Sequence, residues 1–82
     1  MPQFEASYKR QAGLGREYIY KITYGMRGNA LGWLATVRFA GELKGHAGGE
    51  FAFALPPPEQ EQQRTAERLT REAIEALDGI VE

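Results

Sequence analysis

In each stretch of this chain that alternates between two kinds of residue, the aromatic rings all keep to one parity. Phe4 and Tyr8 share theirs, as do Tyr18, Tyr20 and Tyr24, then Trp33 and Phe39, then Phe51 and Phe53. Successive side chains of a β-strand point to opposite faces, so one parity means one face. Four strands are therefore expected over about 4–10, 18–24, 33–40 and 51–55, each with an aromatic side and a small or polar side. The segments between them hold nine of the ten glycines. Connections that short favour antiparallel hairpins, because a parallel crossover needs a dozen residues or more. The segment Gly45-His46-Ala47-Gly48-Gly49 reads as part of a flexible hairpin loop ahead of the fourth strand.

At Pro56-Pro57-Pro58 the period changes. A proline is compatible with a first helical position, and Glu59 and Glu61 suit the positive end of a helix dipole. A helix is expected over about 58–78, with Ala66, Leu69, Ala73, Ala76, Leu77 and Ile80 as its apolar stripe. Gly79 is placed as the residue just past its end. The predicted fold is α+β: a four-stranded antiparallel meander packed on one face by a single C-terminal helix (ββββα), in two layers. A single domain spans 1–82.

Composition narrows the function classes. Eighty-two residues hold one core. There is no apolar run near the ~20 residues that span a bilayer. The chain has no cysteine, one histidine (His46) and a net charge of -1. Disulfides, thiolate metal sites and cysteine nucleophiles are excluded, and a lone histidine makes a zinc site improbable. Ser7, His46 and Asp78 are the sole copies of their types, and a Ser-His-Asp triad would need all three. The expectation is a non-enzymatic cytoplasmic protein, complete as given, with no secretory leader, cofactor, metal or membrane segment.

Two surfaces are candidates for binding. Residues 1–50 carry a net charge of +3 and residues 51–82 a net charge of -4. Lys9, Lys21 and Arg38 lie on the parity opposite the rings, where with Ser7, Thr23 and Thr36 they form a basic, hydroxyl-bearing outer face able to follow a phosphate backbone. Single-strand binders also place aromatics on such a face, and these point the other way. The second candidate is an aromatic interface of Tyr18, Tyr20, Tyr24 and Trp33. A helix ~10 Å wide is expected to leave part of a sheet ~19 Å wide uncovered. An apolar area of that kind marks an interaction surface, most simply for a second copy of the chain. The helix face with Arg64, Arg68 and Arg71 among Glu67, Glu72 and Glu75 reads as solvated.

The order Tyr18-x-Tyr20-x-Ile22, Gly32-Trp33-x-Ala35-x-Val37, Gly49-x-Phe51, then a helix with Ala66, Ala73, Ile74 and Asp78, resembles small uncharacterised bacterial proteins with an antiparallel sheet and one C-terminal helix. The resemblance is one of layout and implies a fold without an activity. The order of elements is also similar to the dimeric single-stranded-DNA-binding transcriptional coactivators, although the dense basic cluster of that family has no counterpart here. The functional expectation is a protein-interaction or self-associating module, possible homodimerisation included. The alternative is weak binding of single-stranded DNA or RNA through Lys9, Lys21, Thr36 and Arg38.

Overall fold

The structure, a computed structural model, describes residues 2–81. Its elements are β1 (Gln3–Lys9), β2 (Glu17–Arg27), β3 (Ala30–Phe39), β4 (Glu42–Ala52) and α1 (Glu59–Ala76). The four strands form one open antiparallel sheet in the order β1-β2-β3-β4, with α1 on one face. This is the ββββα meander that the aromatic parity implies.

Register puts the rings together. Tyr8 pairs with Tyr18, Ala6 with Tyr20 and Tyr20 with Val37. Tyr24 pairs with Trp33, and Leu31 with Phe51. Tyr18, Tyr20, Ile22, Tyr24, Leu31, Ala35 and Val37 form the core with Ala66, Ile74 and Ile80. Phe4, Tyr8, Trp33, Phe39, Phe51 and Phe53 surround it, half-buried.

Three details depart from the sequence reading. The fourth strand is Glu42–Ala52, and the glycine-rich 45–49 segment lies inside it. The turn ahead of it is the tight pair Ala40-Gly41, both with positive φ (52° and 80°). Such a pair matches the twist of a two-residue hairpin. Two of the strand's glycines, Gly48 and Gly49, lie against neighbours from β3. A Cβ on Gly48 would meet the Trp33 carbonyl at 2.9 Å and the Leu34 side chain at 3.2 Å, and Gly49 lies under the Trp33 indole. Glycine here answers a close approach inside a strand.

The helix is also rotated from the expected stripe. Its buried residues are Thr65, Ala66, Thr70 and Ile74, while Ala76 is exposed. Thr70 can face inward because its hydroxyl donates to the Ala66 carbonyl at 2.8 Å, which leaves its methyl for packing.

The helix ends at Leu77 in the left-handed conformation, with Asp78 N–H donating to Ala73 O at 2.9 Å. Gly79, expected at that position, has another role. Its carbonyl accepts from His46 N–H at 3.1 Å, Val81 N–H donates to Lys44 O at 2.8 Å, and Ile80 bridges Gly45. Residues 79–81 thus close part of the β4 edge. A Cβ on Gly45 would fall 1.8 Å from Gly79 O, and one on Gly79 would fall 2.3 Å from His46 O.

Gly45→Ala and Gly79→Ala should each destabilise the fold by ~2 kcal/mol or more, since neither backbone can yield without losing the bridge. Gly28→Ala, whose positive φ (62°) meets open space, should cost only ~1 kcal/mol. Denaturant midpoints of the three variants check the ranking, and equal losses would contradict it.

Candidate functional site

The inner face is closed by more than α1. Arg16 lies over the Phe39 ring (5.0 Å to the centroid), Arg68 over Phe51 (5.5 Å) and Arg71 over Tyr8 (5.5 Å). A guanidinium on a methylene stem can cover apolar surface while its charge stays wet. Arginine faces on the helix expected to be simply solvated therefore widen its cover. Tyr18, Tyr20 and Tyr24, expected at an interface, are 0, 0 and 2% exposed. They are core residues, and only Trp33 of that group reaches the surface. It borders a recess of about 320 Å³ between β4 and Leu69, Ala73 and Ala76 of α1.

Tyrosine can serve in this core because acids on α1 meet its polar ends. Tyr20 Oη donates to Glu67 Oε1 at 2.7 Å, and the same oxygen accepts from Arg71 at 2.7 Å. Burial, then the bond to Glu67, pushes the Tyr20 phenol up to about 12. Burial and the charge of Glu59 raise Tyr24 as well.

Glu75 collects three donors: Gln11 N–H at 2.6 Å, Tyr8 Oη at 2.5 Å and Ala12 N–H at 3.3 Å. These bonds, Gln11 first, hold its carboxyl below the usual range, and the bond to Glu75 raises Tyr8. Arg10 comes in from the end of β1, 9% exposed, and donates to the carbonyls of Ile74 (3.1 Å) and Glu75 (2.8 Å). It ties the β1–β2 loop to the last turn of the helix, where the Ile74 carbonyl also accepts from Leu77 N–H at 3.2 Å. Nothing in the local sequence distinguishes Arg10 from the other basic residues of the first half. The partner carbonyls are 64 and 65 residues away.

The outer face carries the other candidates. Glu5, Lys21, Thr36 and His46 form one row across the four strands, and Ser7, Ile19, Arg38 and Leu43 the next. Lys21, Thr36 and Arg38 meet around a shallow depression of about 240 Å³, shared with Glu5 and Ile19. Lys9 stands apart, opposite Glu17 at the end of β1. The face also exposes Ile19 (45%), Leu34 (59%) and Leu43 (47%). It is a mosaic of both charge signs and aliphatic groups, and among the described residues its one ring is the exposed imidazole of His46.

Among the described residues, no three His, Cys, Asp or Glu side chains are grouped to hold a metal ion, and no helix is long and apolar enough to cross a membrane. No protein-family model, curated protein or solved structure matches the chain.

Two pH limits follow. The depressed carboxyl of Glu75 contributes stability above the ordinary carboxylate range, and that contribution is lost as pH falls through its lower folded value. Tyr20, raised to about 12, contributes stability that is complete below ~10, the ordinary phenol value, and is lost as pH rises toward its folded value. Glu75→Gln should flatten the acid limb of the stability profile and Tyr20→Phe the alkaline limb. Urea titrations across pH measure both, and unchanged limbs would contradict these roles.

Proposed function

We propose that this protein is a small non-enzymatic interaction module that acts by self-association. One observation carries the reading: β1 forms a sheet edge over its whole length, and the half-buried rings of Phe4 and Tyr8 lie directly beside it. An unpaired edge next to incompletely covered apolar side chains is a template for another strand. Pairing there would satisfy backbone groups and dry the ring margin together. The polar clusters near the helix support the same reading, because Glu67, Glu75, Arg10 and Arg71 are engaged in holding helix to sheet.

A second reading has a specific observation behind it. Lys21, Thr36 and Arg38 share one depression, a placement able to receive a phosphate of single-stranded DNA or RNA. Glu5 in the same depression, and a single ring on that face among the described residues, the imidazole of His46, favour self-association over it.

Light scattering across a concentration series should show the mass rising from one chain toward two, with little sensitivity to added oligonucleotide. A mass that stays at one chain, with amide shifts at Lys21, Thr36 and Arg38 on adding single-stranded DNA that fade as salt is raised, would replace the first reading with the second.

A further inference from the structure

The geometry of β1 points to a specific dimer, which rests on the self-association reading above. We propose that two copies pair β1 antiparallel about a two-fold axis at Ala6, giving one continuous eight-stranded sheet with both helices on the same face.

The two sheet edges are unequal. The β4 edge is occupied at Lys44–His46 by residues 79–81, is bulged near Val37/Arg38 and contains three glycines. The β1 edge is seven residues with no glycine, proline or bulge. Pro2 O accepts from Tyr24 N–H, and Arg10 N–H donates to Arg16 O. Even-numbered residues of β1 therefore turn their backbone groups toward β2. By the two-residue period, Gln3, Glu5, Ser7 and Lys9 turn theirs to the open side. The Lys9 carbonyl accepts there from the exposed Gln11 side chain, at 3.3 Å.

Register follows from the side chains. With the axis at Ala6, the midpoint of Gln3–Lys9, the hydrogen-bonded pairs are Gln3 with Lys9 and Glu5 with Ser7 of the second copy. All are odd-numbered, as the open groups require. On the inner face Phe4 comes opposite Tyr8 of the second copy. This would extend the ring contact that Phe4 already makes with Tyr24 (6.1 Å, edge-on) across the junction. On the outer face Glu5 lies diagonal both to Lys9 and to Glu5 of the second copy; the axis repeats the Glu5–Lys9 attraction, so two such pairs stand against one diagonal pair of carboxylates. Moving the axis to Glu5 would oppose two carboxylates. Moving it to Ser7 would set Phe4 against Arg10, which is engaged with the carbonyls of Ile74 and Glu75. The helices do not obstruct: α1 lies chiefly over β2, so the two axes would be three strand spacings apart, ~14 Å, against a helix diameter of ~10–12 Å.

The chain has no cysteine, so a single introduced thiol reports the axis directly. Ala6→Cys in the full chain should form an interchain disulfide on mild oxidation, because opposed residues of a non-hydrogen-bonded pair come within disulfide reach. Ser7→Cys, diagonal to its own mate by ~7–8 Å, should not. Separately, E5K and K9E should each weaken self-association on the order of tenfold. An equimolar mixture of the two should recover it, and this also shows that both variants fold. A chain that scatters as a dimer while Ser7→Cys links and Ala6→Cys does not would overturn this register and leave self-association standing. A dimer indifferent to both charge variants would move the contact off β1. A chain that stays monomeric at high concentration would overturn both readings.

Discussion

One helix has to keep water off a sheet that carries eight aromatic rings on one side, with Phe53 just past its last strand, and the fold depends on how that coverage is achieved. Strands β1 and β2 supply tyrosines because α1 supplies acids: Glu67 accepts from Tyr20 of β2, and Glu75 from Tyr8 of β1. A phenol can then lie under the helix with its ring in the core and its hydroxyl satisfied at the helix flank, which avoids the desolvation cost of a buried orphan. Tyr18 is the exception, since its hydroxyl is buried with no partner among the described residues. Arginines then extend the cover sideways over Tyr8, Phe51 and Phe39. Charged residues thus finish a core that alanines and threonines on the helix are too small to finish alone.

The helix is held at both ends of its last turn by the rest of the chain. Arg10 and the β1–β2 loop grip it from the β1 side through its carbonyls and through Glu75. Residues 79–81 run on from it to pair with β4, a contact that exists because Gly45 and Gly79 face each other without side chains. Part of the β4 edge is therefore covered by residues 79–81, while β1 forms the other edge without a bulge. A further strand added at Lys44–His46 would have to displace residues 79–81, whereas β1 has no such cover among the described residues.

The outer face reads differently once side chains are in place. Its lysines and arginine are interleaved with Glu5, Glu17 and exposed aliphatics, so charge of both signs is spread over the face. Such interleaving leaves no field of a single sign across the face.

Much of this was legible in the residues. Parity of the rings determined which face of each strand turns inward, because a period of two leaves no other choice. The proline triplet and the change of period determined where sheet gives way to helix. Other features belong to the tertiary structure alone. A glycine has no side chain to reveal whether it serves a turn or a close approach. The 45–49 segment of β4 therefore reads as a loop ahead of a strand at 51–55, although Gly48 and Gly49 lie against Leu34 and Trp33 of β3. The burial of Tyr18, Tyr20 and Tyr24, the rotation of α1 toward Thr70 and Ile74, and the grip of Arg10 on carbonyls 64 and 65 residues away all depend on where the helix comes to rest. Local periodicity records which way a side chain points, and only packing across the chain decides what it meets there.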